Sequence, residues 1–147
     1  MKGFNFDFYK TLQNHKLHRQ NALKLFNVDY DKKRYFNYEL PVLGFQDKSF
    51  DLLLSSHLLF VYDDRFSYEF HLNAIKEMLR VADRVQIFPL IGFQNLNIDK
   101  EKNFSPYVYK IIEDLKHYSV VIEKVNFEFQ PRGNYQMVIK RKYSLNH

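Results

Sequence analysis

The chain has 147 residues, of which 46% are hydrophobic and 27% charged, the balance of one globular domain rather than of a disordered segment. There is no cysteine, which excludes disulfides, thiolate zinc sites, iron–sulfur clusters and cysteine nucleophiles. The net charge of +5 comes from 22 basic residues, 15 of them lysine, scattered along the chain, so nucleic-acid binding is the weaker expectation. The longest apolar stretch, Leu52 to Tyr62, is broken by Ser55, Ser56 and His57 and falls short of a membrane span. Asp7 interrupts what would be the apolar core of a signal peptide, so a cytoplasmic address is expected. Gly3, Gly44, Gly92 and Gly133 lie about 40 or more residues apart, and no glycine-rich phosphate or dinucleotide loop can be built from them.

In chain order, Phe4, Phe6 and Phe8 alternate with polar residues as in a short strand. Thr11 to Phe26 is free of strong breakers and reads as a helix, with a charged turn at Asp29 to Lys33. Arg34 to Phe36 reads as a short strand, followed by a loop with Pro41 and Gly44. Phe50 to Leu54 is a continuous apolar run, expected of a strand covered on both faces. Asp63, Asp64 and Ser67 are candidate helix caps before Phe70, Ala74, Ile75, Met78, Leu79 and Ala82, which recur at helical spacing. Val85 to Ile91 reads as a second buried strand. Ser105-Pro106 places a capping hydroxyl before a helix with Val108, Ile111, Ile112 and Leu115 on one side. Val120 to Phe129 and Tyr135 to Lys140 alternate around a turn at 130–134, an antiparallel hairpin. Strands separated by helices and closed by a hairpin imply an open α/β sheet of parallel strands with one antiparallel addition. One domain is expected over residues 1–147.

Two stretches are similar to a known family. LGFQDKSFDLLLSSH, Leu43 to His57, resembles the LPF-x-D-x-S-F-D-L-V-L-S-S-H stretch of class I S-adenosylmethionine-dependent methyltransferases. Glu77 to Val81 looks like the E-x-x-R-V end of the helix that follows in that family, and the closing hairpin looks like its last two strands. The resemblance covers Arg34 to about Arg141 and implies a Rossmann-like methyltransferase sheet that is incomplete. The family's order is 3-2-1-4-5-7-6, with a glycine-rich cofactor loop after strand 1. Residues 1–33 hold no such loop. The resemblance therefore implies that the strand at residues 50–54 lacks its neighbour. Loss of cover on three large side chains forfeits roughly 5–9 kcal/mol at about 1.5–3 each. A homodimer, a completing polypeptide or the N-terminal segment is expected to cover that edge.

The resemblance also implies site residues. Glu39 stands where the family keeps an acidic or polar residue near the cofactor's adenine amine. Ser55 and Ser56 end a parallel strand, where open α/β sheets bind ligands, and are expected to line the S-adenosylmethionine site. His57 is the candidate to orient or deprotonate a methyl acceptor, most simply a small molecule. Tyr62 and His71 are expected to pack rather than react, and most phenylalanines, including Phe70, Phe127 and Phe129, are expected in the core. His15 and His18 share a helix face without a carboxylate to complete a metal set, and no metal is expected. The alternative is a non-catalytic remnant or interaction module of the same fold that binds no cofactor.

Overall fold

The computed structural model describes residues 8–30, 34–92, 104–128 and 132–142, and the chain divides into two compact units, Met1–Asn37 and Tyr38–His147. The first unit is built on α1 (Phe8–Tyr30), longer at both ends than the Thr11–Phe26 helix expected. Phe8 opens this helix, and residues 4–7 of the expected strand lie outside the described residues. Leu17, Leu23, Leu25, Phe26 and Val28 on α1 are exposed. Arg34 to Phe36 is not a strand, and Tyr35 sets its ring against Phe26 at 4.4 Å.

The second unit is α/β. Its elements are β1 (Phe50–Ser56), α2 (Tyr68–Val81), β2 (Ala82–Phe88), α3 (Tyr107–Asp114), β3 (Tyr118–Lys124) and β4 (Tyr135–Arg141). The sheet runs β1-β2-β4-β3, with β1 parallel to β2 and both other pairs antiparallel. β4 is therefore inserted between β2 and the strand that precedes it in sequence. A helix between β1 and β2 is what parallel pairing demands, whereas β3 and β4 join directly as a hairpin.

Ser67 caps α2, accepting from Phe70 N–H at 3.2 Å, so of the three candidate caps the serine serves and the two aspartates lie in the preceding turn. At α3 the expected cap is shifted by one residue: Pro106 is the N-cap rather than the first helical residue and there is no side-chain cap bond, while the Ser105 hydroxyl, one residue earlier, accepts from Tyr107 N–H at 3.3 Å. Ala74, Ile75, Met78 and Leu79 of α2 and Val108, Ile111 and Leu115 near α3 are buried against Val85, Ile87, Met137 and Ile139. The strand register places Leu53, Val85, Ile139 and Val120 in one row on this face, so both helices cover the same side of the sheet.

Three expectations need correction. β1 is not covered on both faces: Phe50, Leu52 and Leu54 point away from the helices and are 40%, 43% and 65% exposed. A run of leucines reads alike whether both faces are covered or one awaits cover, because hydropathy reports what a strand should bury and not what buries it. β2 begins three residues earlier than Val85 and ends at Phe88, before the cis Phe88–Pro89 bond. β3 stops at Lys124 rather than Phe129, and beyond it Val125 N–H still bonds Asn134 O at 2.7 Å. Phe127 thus lies in the connection, 64% exposed with its ring 5.8 Å from Phe88, and not in the core; Phe129 lies outside the described residues. Phe70 packs against the core as expected.

Candidate functional site

β1 delivers Ser55, Ser56 and His57 to its carboxyl end. A cavity of about 390 Å³ runs there, lined by Leu40, Leu43, Phe45, Leu53, Leu54, Ser55, Ser56, Leu58 and Met78. Its volume is in the range of small-molecule sites, about 300–1,000 Å³. The wall is almost wholly apolar. The exceptions are Ser56 and Ser55, and the Ser55 residue is 9% exposed with its Oγ buried and without a hydrogen-bond partner. A buried hydroxyl without a partner costs about 1–3 kcal/mol, so the position is unfavourable until something supplies one.

Ser56 and His57 are joined side chain to side chain, Oγ to Nδ1 at 2.6 Å. His57 adopts a left-handed backbone, φ 59°, which few side chains take up without compensation. Its compensation is a backbone N–H bond to Phe88 O at 2.7 Å, with the ring edge-on to Phe88 at 5.6 Å. The turn thereby aims the chain away from the strand at the carboxyl ends of β1 and β2. His57 itself does not line the cavity.

The other wall is the loop that precedes β1. Val42 N–H bonds Glu39 O at 2.9 Å across the cis Leu40–Pro41 bond, closing a tight turn. Leu40 and Leu43 face the cavity, while Glu39 is exposed and is not among its lining residues. The structure therefore brings Ser55 and Ser56 together with the Leu40–Phe45 loop, and leaves Glu39 and His57 adjacent to the cavity at either end.

Glu77 and Arg80 hold this loop in place, a role that sequence reasoning did not assign them. Leu43 N–H donates to Glu77 Oε1 at 2.7 Å. Arg80 donates to both oxygens of Glu77 at 2.8 Å, to Leu43 O at 3.0 Å and to Asp47 at 2.6 Å. The Arg80 guanidinium and the Leu43 N–H hold the Glu77 carboxyl down at about 2. Because the folded value lies below the ordinary one of 4.5, its stabilisation is present above that value and is lost as pH falls toward 2. Glu77→Gln is expected to cost about 2 kcal/mol at pH 7, with the deficit narrowing below pH 4, as read by urea unfolding across pH.

His71 packs, as expected. It is fully buried, its Nε2 accepts from Phe60 N–H at 3.1 Å and its Nδ1 faces Ser67 O at 2.8 Å. Burial pushes its pKa below the usual histidine value and keeps the ring neutral. Tyr62 is held locally, under Arg65 at 5.4 Å and edge-on to Phe66. Asp63 was missed as anything but a cap. Its Oδ2 is buried without a hydrogen-bond partner, and burial raises its carboxyl above the ordinary range against the opposing influence of Ser105 and His71. Asp63 rests on Gly92, where a side chain would collide with the carboxylate. His15 and His18 are exposed on α1, and among the described residues no three metal-ligating side chains gather. No helix among them is long and apolar enough to cross a membrane.

The chain is similar to an uncharacterized protein of Methanocaldococcus jannaschii, 36% identical over 141 residues. That match takes in 95% of this chain and 59% of the relative, so the chain spans about three-fifths of the length of the protein it matches. No family model matches the chain. No solved structure matches it either.

Proposed function

We propose that this chain is an S-adenosylmethionine-dependent methyltransferase-like protein with a Rossmann-like sheet, in which the cavity beside β1 takes the nucleoside end of the cofactor. The observation that carries the proposal is the buried, unpartnered Ser55 hydroxyl on the wall of a mostly apolar cavity at the carboxyl end of a parallel strand. A mostly apolar wall with two serines suits a heteroaromatic base, which is apolar on its faces and polar at its edge. The strand order β1-β2-β4-β3 supports it too, since it matches the 4-5-7-6 half of the sheet that the sequence resembles.

The fit covers part of the cofactor. Leu40, Leu43, Phe45 and Met78 would hold the base by contact, Ser55 would bond its edge, and Glu39 stands one residue from the wall for an amine. The charged amino-acid end finds no glycine loop in the sequence. When bound, the cofactor supplies an electrophilic methyl group on a sulfonium. The chain's part is then to align an acceptor and exclude water, with a base needed only where the acceptor carries a proton. His57, hydrogen-bonded to Ser56 through Nδ1 at 2.6 Å, would be the residue to orient the acceptor or take that proton. The acceptor is proposed to be a small molecule, and the compartment the cytoplasm.

Calorimetric titration of S-adenosylhomocysteine into the folded chain tests this. Saturable binding is expected, weakened about tenfold or more by Ser55→Val and less by Glu39→Gln. Absence of binding at millimolar ligand favours the non-catalytic interaction module instead.

A further inference from the structure

β1 is the edge strand of its sheet and pairs with β2 alone. His57 N–H reaches Phe88 O, so the odd-numbered residues of this parallel ladder turn their backbone groups toward β2. The N–H and C=O of Leu52, Leu54 and Ser56 therefore point the other way, and among the described residues no backbone hydrogen bond takes them up. Sheet edges that face water are normally blunted by charged side chains, proline or a bulge, and Phe50–Ser56 holds only Asp51, near its start, with no lysine or proline. The same strand lacks a second thing. Its Phe50, Leu52 and Leu54 face outward and are exposed, whereas the neighbouring β2 sets Arg84 and Gln86 on that face, so the bare apolar surface is confined to β1. One missing layer accounts for both the free edge and the bare face.

Pairing with the edge takes a strand, and the described residues of the first unit form a helix and no strand, so two occupants are weighed for the edge. A second copy can pair antiparallel about Leu53, which sets Leu52 opposite Leu54 and Phe50 opposite Ser56 with all outward groups in register. That arrangement extends the sheet sideways and leaves the outer face as bare as before. A polypeptide carrying a strand and a helix covers edge and face together. The relative provides the second observation: its 141 matched residues are 59% of its length, which leaves roughly 100 residues outside the match, several times what a strand–helix unit needs.

The geometry points to a completing polypeptide of that kind as the occupant of β1. Its strand adds to the Leu52–Ser56 edge, and its helix lays an apolar face over Leu52 and Leu54. Since the cavity lies along the same edge, this strand also forms its remaining wall, but the inference does not depend on what the cavity binds.

The test replaces the matched stretch of the Methanocaldococcus jannaschii relative with this chain and compares hydrogen exchange in the chimera and in the lone chain. The chimera is expected to be monomeric, with the amides of Leu52, Leu54 and Ser56 slowed about 100-fold or more. Leu52→Lys is expected to lower the chimera's Tm by several degrees and to leave the lone chain nearly unchanged. Equal exchange in the two proteins overturns the inference, as does a lone chain that dimerises with those amides protected. Should the chimera not fold, exchange at the aligned positions of the intact relative decides, and fast exchange there overturns it equally.

Discussion

His71→Ala is expected to destabilise the second unit by about 3 kcal/mol, a large part of the 5–15 kcal/mol typical of a whole domain. Two losses combine. The ring leaves a void between Phe60, stacked on it at 5.5 Å, and Tyr107, edge-on at 5.1 Å. The N–H of Phe60 also loses its acceptor while remaining buried, and Phe60 holds a left-handed backbone, φ 67°, that this bond helps to fix. His71→Phe fills the volume without restoring the acceptor and is expected to recover about half. The wild-type protein should also show a pH dependence that both variants lack. His71 has a folded pKa below its ordinary 6.5, so the unfolded chain binds the proton more readily. Its stabilisation is complete above 6.5 and declines as pH falls below. Urea unfolding at pH 7.5 and 5.5, followed by tyrosine fluorescence, reads both effects, and a parallel wild-type and variant pH slope would contradict the assignment.

Gly92→Ala is the second large effect, expected to cost about 2–3 kcal/mol by overpacking. The glycine is required by contact rather than by dihedral angle, since no described glycine has positive φ. A Cβ there runs into the Asp63 carboxylate, and neither neighbour gives easily: Ile91 bridges Phe104, and Asp63 sits in the turn between β1 and α2. Asp63→Ala should relieve the collision, so the double variant is expected to be at least about 1 kcal/mol more stable than additivity allows. The single Asp63→Ala variant should cost little at neutral pH. Burial raises that carboxyl, so any stabilisation it gives exists at low pH and is lost as pH rises through the folded value. Thermal unfolding of the four proteins closes the cycle.

These contacts also show where the sequence was legible. α2, α3 and the hairpin follow from periods of 3.6 and 2, because Ala74, Ile75, Met78 and Leu79 or Val120 and Ile122 each report their own burial locally. The Ser67 cap was legible for the same reason, since a cap bonds within three residues of itself, whereas at α3 the start was legible and the cap fell one residue later, on Pro106. The carboxyl end of β1 could be located from Ser55-Ser56-His57 closing an apolar run. What stayed hidden depends on partners distant in sequence. Glu77 meets Leu43 across 34 residues, Arg80 meets Asp47 across 33, and Asp63 meets Gly92 only after β2 has formed. Phe127 was misread because alternation continued past the last residue that finds a strand partner. β1 was misread for the opposite reason, since its leucines are apolar enough for a covered strand and the cover is not among the elements of this unit.

Backbone amide shifts on adding S-adenosylhomocysteine to the isotopically labelled chain test the central claim most directly. The expected result is a saturable set of changes confined to Leu43, Phe45 and the Leu53–Leu58 segment, with Ser55 the largest and the Ser55→Val protein unresponsive at the same concentrations. Unchanged spectra at millimolar ligand, or changes that fall elsewhere in the sheet, would contradict it.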